Sequence, residues 1–223
     1  MKKVIAGLLV LISGATGVWA EEVALLEFRV GQESGKRRVA LEFLEGDAPG
    51  HVENFKKLAR RGFYRGTTIH RSFPHQLMQM GDPLSRDPSR GTVGTGGPTF
   101  TIPPEIRARH EKGAVAAGRL PDKINPTRRS NGSQFFICLD AMPSYDGQYT
   151  VFGRVIYGMG VLDTMSQLPV DSNDNPVQKI EICSVRILDR ARLPEEQTDA
   201  EIEAGRKPLR WWQRLGSILD GIF

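Results

Sequence analysis

Cysteine is scarce in this 223-residue chain. There are two, Cys138 and Cys183, forty-five residues apart, with no Cys-x-x-Cys and no histidine at metal-ligand spacing. A disulfide-framework scaffold is excluded, and no metal site is expected. Each cysteine lies inside an apolar, strand-like run, which reads as a pair of buried free thiols rather than a bridge. An excess of one charge is lacking too. The formal net charge is +4, and Lys2 and Lys3 belong to a leader whose loss leaves +2, so the sequence pI of 9.2 overstates how basic the mature chain is. Such a balance makes no case for nucleic-acid binding. No apolar run reaches the roughly eighteen residues a membrane span needs; the longest runs from Val4 to Val18. There is no internal repeat and no low-complexity segment. His70, Ser72 and Asp82 are not spaced to pose a base beside a nucleophile. The glycine-rich run Gly91-Thr92-Val93-Gly94-Thr95-Gly96-Gly97-Pro98 lacks the Lys-Ser/Thr of a phosphate loop and the third glycine of a dinucleotide fingerprint, so it reads as a surface loop.

What is present begins with that leader. Lys2-Lys3, the apolar stretch to Val18, and Val18-Trp19-Ala20 have the order of a secretory signal peptide cleaved after Ala20. A retained membrane anchor would need a longer apolar run. Its short style is bacterial, and the expected destination is the periplasm. The mature chain then suits one domain, residues 21–189, with a tail, 190–223. Val23–Val30 and Arg38–Leu44 read as a hairpin about a Gly31–Lys36 turn. Asp47 is placed to cap a helix with Pro49 in its first turn, Val52, Phe55, Leu58 and Ala59 as its apolar stripe and Gly62 as its stop. Phe63–Ile69 reads as a return to strand.

The most informative stretch is Ser130-Asn131-Gly132-Ser133-Gln134-Phe135-Phe136-Ile137-Cys138-Leu139. Asn131-Gly132 is a strong turn signal. The β-favouring run after it shows no polar alternation, as suits a strand with one side in a core and the other lining something other than bulk water. Gln134 beside two phenylalanines suits an apolar pocket with a polar edge.

This stretch resembles the signature strand of the cyclophilins, the peptidyl-prolyl cis/trans isomerases. Glu53-Asn54-Phe55, Gly62-Phe63-Tyr64-Arg65-Gly66, His70-Arg71, Gln79, Gly81-Asp82, Tyr149-Thr150-Val151-Phe152-Gly153 and Gly158-Met159 fall on the family pattern in order, from about Val23 to Leu188. The resemblance implies an all-β fold, a closed eight-stranded antiparallel barrel with two capping helices, the second near Val161–Leu168. It also implies an enzyme without cofactor or metal that acts on proline-containing polypeptides. Amide rotation faces a barrier of roughly 18–20 kcal/mol, and it is lowered by binding the twisted amide better than either planar isomer. The prolyl nitrogen regains its lone pair in that state, so a fixed cationic donor strengthens only there. By resemblance Arg71 is that donor and Gln79 its support, one arm of the guanidinium serving each. Phe136, Leu77, Tyr145 and Tyr149 hold the proline ring, and Gln134, Gly118 and Arg119 line the groove.

Some positions depart from the family. A pocket phenylalanine is Gln76, the groove-edge tryptophan associated with cyclosporin binding is Ser144, a frequent histidine is Tyr149, and an asparagine whose backbone meets the peptide is Arg119. Gln76 and Ser144 keep a second reading in view, a proline-peptide-binding or scaffold module with little turnover. A monomer is expected. Beyond the resemblance, Leu209, Trp212, Leu215, Ile218, Leu219 and Ile222 form a helical stripe near Arg206, Lys207, Arg210 and Arg214. At about 1.5 Å per residue, 209–223 is too short to span a bilayer. It reads as an amphipathic helix that docks on the barrel or a second copy, on an anionic membrane surface, or on a partner.

Overall fold

The computed structural model describes residues 21–87 and 93–194. The leader, most of the tail with its helical stripe, and the first part of the glycine-rich run lie outside these. Eight strands form one antiparallel sheet: β1 (Glu22–Val30), β2 (Arg37–Phe43), β3 (Arg71–Phe73), β4 (Leu77–Met80), β5 (Ala114–Ala117), β6 (Phe135–Cys138), β7 (Val151–Tyr157) and β8 (Ile180–Asp189), in the spatial order β3-β4-β6-β5-β7-β2-β1-β8. Two helices, α1 (Pro49–Arg60) and α2 (Met159–Ser166), pack on it, α1 against β7 and β8, α2 against β2.

The apparent all-apolar strands resolve into a period of two. In β6, Phe135 and Ile137 join the main core while Phe136 and Cys138 face a second cluster on the other side; Met78 and Met80 of β4 side with the first, Leu77 with the second. Phe55 of α1 is the hub of the main core, with ring centroids 5.0 Å from Tyr64 and 5.4 Å from both Phe135 and Phe152. Stacked, tilted and edge-on ring pairs of this kind add to burial.

Five expectations are corrected. The barrel is not closed: the sheet is a curled half-barrel with β3 and β8 at its edges. The expected strand Phe63–Ile69 is the reason. Gly62 and Gly66, at φ +69 and +80, curl it into turns, and only Thr68 forms a bridge, to Glu181. Asp47 does not cap α1. The helix starts one residue later than that placement requires, Ala48 stands at the N-cap without a side-chain bond, and Glu105 does the work from 55 residues away. Its carboxylate accepts from the Gly50 and His51 amides, 3.0 Å each. The second helix runs Met159–Ser166, two residues earlier than expected, after Gly158 at φ +82. Finally, both thiols are free, but only Cys138 is buried; Cys183 is half-buried.

Candidate active site

Strand register assembles the site. Arg71 of β3 pairs with Gln79 of β4, Gln79 with Phe136 of β6, and Phe136 with Ala116 of β5. Directly opposed residues share a sheet face. One row therefore carries a cation, an amide, an aromatic ring and a methyl across four neighbouring strands. With Ala116 buried at the row's end, the first three of the row, Arg71, Gln79 and Phe136, floor a groove of about 710 Å3, lined also by Leu77, Gln76, Gly118, Arg119, Tyr145 and Tyr149. Every expected site residue but Gln134 lines it. Gln134 is 5% exposed and stands behind: it accepts from the Gln79 amide (2.8 Å) and donates to the Gly94 and Gly96 carbonyls (2.9 and 2.7 Å). The Gln79 side-chain N–H thus donates to Gln134, which leaves Gln79 Oε1, the atom that can accept from a guanidinium, unengaged by that bond.

Arg71 is an exposed side chain, with its guanidinium 5.0 Å from the centroid of the Phe73 ring and Nε 3.7 Å from Asp174 Oδ2. Phe73 was missed in the sequence, although it shares Arg71's face at a spacing of two. It gives the groove back an aromatic wall where Gln76 is exposed. The floor is built of rings: Phe136 meets Tyr145 and Tyr149 edge-on at 5.9 and 5.4 Å, and His110 stacks on Phe136 at 6.1 Å. His110 Nδ1 lies 3.0 Å from Asp146 Oδ1, and burial holds its pKa below the ordinary value despite that carboxylate. Burial likewise pushes the Cys138 thiol, behind Phe136, up to about 12, which leaves no thiolate for nucleophilic chemistry.

Arg119 does more than a backbone position. Its side chain is nearly buried, sits 4.7 Å over the Tyr149 ring, donates from Nε to the Gln148 carbonyl (2.8 Å) and pairs with Asp122. Asp122 also pairs with Arg128 (2.8 Å), which donates to the Gly147 carbonyl (2.8 Å). The 120–129 segment is thereby clamped to the 145–149 turn as one end wall of the groove. Ser144 does not line the groove. The turn before β6 is held by Asn131, whose Oδ1 accepts from the Gln134 amide (3.1 Å), and Gly81, at φ +88, approaches the Ser133 carbonyl too closely for any Cβ.

One constellation resembles a nucleophilic triad without its use. His51 Nδ1 lies 2.6 Å from Glu105 Oε2 and Nε2 2.8 Å from Ser130 Oγ. Ser130 is 2% exposed and the adjoining cavity is about 20 Å3, so no substrate reaches it. The three tie α1, the 105 segment and the β6 turn together. Among the described residues no three histidine, cysteine or carboxylate groups are placed to hold a metal ion, and no helix is long and apolar enough to cross a membrane.

Residues 26–187 match the model of the family described as cyclophilin type peptidyl-prolyl cis-trans isomerase/CLD. A peptidyl-prolyl cis-trans isomerase-like 1 of Gibberella zeae is 36% identical over 149 residues, 67% of this chain and 88% of the relative. A peptidyl-prolyl cis-trans isomerase of Synechococcus elongatus is 42% identical over 122 residues, 55% of this chain and 76% of the relative. A crystal structure of a cyclophilin type isomerase from Cryptosporidium parvum, 24% identical, shares the fold with a TM-score of 0.65 over 77% of this chain and 99% of its own. The same protein was also solved in the presence of the dipeptide Ala-Pro. The chain belongs to the cyclophilin-type peptidyl-prolyl cis-trans isomerases. Most of the relatives are fungal, so they do not support the bacterial character read from the leader.

Proposed function

We propose that the groove binds proline-containing segments of exported polypeptides, with the ring on Phe136 and the Arg71 guanidinium donating to the prolyl nitrogen as the amide twists. The observation that carries this reading is the Arg71–Gln79–Phe136 register row, which sets an exposed cation beside an apolar floor. Nothing covalent is formed, so neither a base nor a nucleophile is needed. The requirement is a donor whose bond strengthens only in the twisted state. Leu77, Tyr145 and Tyr149 complete the apolar slot, and Gln134 positions Gln79 from behind. The leader supports export, with the periplasm the expected compartment, and a monomer suffices because one chain supplies the whole groove.

The competing reading, a peptide-binding module with little turnover, draws on exposed Gln76 and on Ser144, which stands outside the groove. Exchange NMR on an Ala-Pro peptide separates the two. The enzyme reading predicts that catalytic amounts of the mature protein speed cis/trans exchange well beyond the uncatalysed tens of seconds. Binding-induced shifts with unaltered exchange would leave the module.

A further inference from the structure

The proline groove is not the larger opening beside Arg71. A second cavity, about 920 Å3, lies between residues 68–71, 93–95 and the loop 171–179. Arg71, Gln79 and Gly94 line both, so the guanidinium stands on a shared sill. A peptide with its proline on Phe136 has one flank facing that sill and the other facing the Arg119–Asp122 wall.

The loop holds one carboxylate at the sill. The Ser72 amide donates to the Asp174 carbonyl (2.9 Å), which ties the loop to β3, and a Val170–Pro176 bridge closes its base. Asp174 sits at φ +63, a conformation aspartate tolerates better than most residues. Its Oδ2 is 3.7 Å from Arg71 Nε, beyond hydrogen-bond range, and the two side chains are 38% and 52% exposed. Such a pair parts easily. The other charges facing the cavity are committed: Lys179 pairs with Glu181 at 3.2 Å, and Asp171 Oδ1 accepts from the Asn173 and Asn175 amides at 2.8 and 3.0 Å. His70 on the same wall is buried, 5% exposed, and neither ring nitrogen is presented to the cavity. When Arg71 turns its donors to a prolyl nitrogen, the Asp174 carboxylate is left facing the cavity without that cation.

We propose that this cavity is a second subsite for the peptide and that Asp174 selects a cationic side chain, lysine or arginine, close to the proline. The incoming cation takes the place beside Asp174 that Arg71 leaves. The assignment rests on the isomerase reading and adds to it which substrates are preferred.

The test uses peptides that differ in one residue, Lys, Gln or Glu, placed one or two positions to either side of the proline. Catalysed exchange is measured by NMR at low salt for the wild type and for Asp174→Asn, which preserves side-chain size and tolerates the same φ. At one flank the wild type should process the Lys peptide about three- to fivefold faster than the Glu peptide, with the preference shrinking at roughly 0.5 M salt. In Asp174→Asn the Lys/Glu ratio should fall toward one. A wild-type ratio near one at every position, or a ratio that survives the substitution, overturns the selection and leaves the isomerase standing if the Gln peptide still turns over. No turnover of the Gln peptide by the wild type overturns the isomerase reading and the selection with it.

Discussion

At the scale of single residues, the site divides into groups that touch the peptide and groups that hold those in place. Gln134 is of the second kind: removing its side chain strands the Gln79 amide and the Gly94 carbonyl at once, while the Gly96 carbonyl keeps its bond from Asn131. Leaving buried polar groups unpaired costs about 1–3 kcal/mol. Gln134→Ala should therefore lower both the urea midpoint and kcat/KM, and an unchanged midpoint would show that the network contributes nothing. Ser144 predicts the opposite kind of change. Without an indole at the groove edge, cyclosporin should bind weakly, since losing such an anchor commonly costs more than about 2 kcal/mol. Calorimetry should find tighter binding for Ser144→Trp; nanomolar affinity in the wild type would contradict this. Arg71, Gln79 and Phe136 were legible because the family pattern names them. Phe73 and Asp174 were not. Phe73 was legible in principle from its two-residue step along β3, whereas Asp174 reaches Arg71 only through the fold, from a loop about a hundred residues on.

At the scale of elements, the hairpin, the stripe of α1 and its Gly62 stop followed from local rules, because turn glycines and apolar periodicity act within a few residues. The cap of α1 did not. Its acceptor, Glu105, comes from a distant segment, and no local pattern encodes that meeting. Burial by itself would raise the Glu105 pKa, but the His51 side chain and the Gly50 and His51 amides outweigh it and leave the carboxyl below its ordinary value. Glu105→Ala should destabilise the protein by about 1–2 kcal/mol, the scale of a lost helix cap, and should leave His51 without its acid partner. Thermal and urea denaturation would check this, and a variant as stable as the wild type would remove Glu105 from the account. The same non-locality bears on the closure: residues 63–66 curl rather than ladder at two positive-φ glycines, of which Gly62 bonds back to Ala59 at the end of α1 and Gly66 is held by Ile182 of β8.

At the scale of the whole molecule, three buried imidazoles shape the pH response. His51, His70 and His110 all have pKa values lowered, chiefly by burial. Their folded values lie below the unfolded value of about 6.5, so the unfolded chain binds more protons. The stabilisation is complete above that pH and is lost as the pH falls below it. The lowered carboxyls of Glu105 and Asp146 act in the same direction at lower pH, as acidification passes through the usual carboxylate range. Urea midpoints should therefore fall steadily from pH 7 to pH 4, and a midpoint that rises over that interval would contradict the burial argument. The central claim is chemical and sits in Arg71, exposed and outside the three hydrophobic clusters. Its most direct test is the exchange rate of a proline peptide with Arg71→Ala. Loss of a donor that acts chiefly in the transition state should lower kcat/KM by about 10²–10³ while the melting temperature stays within experimental error of the wild type; a folded variant that isomerises as fast as the wild type would contradict it.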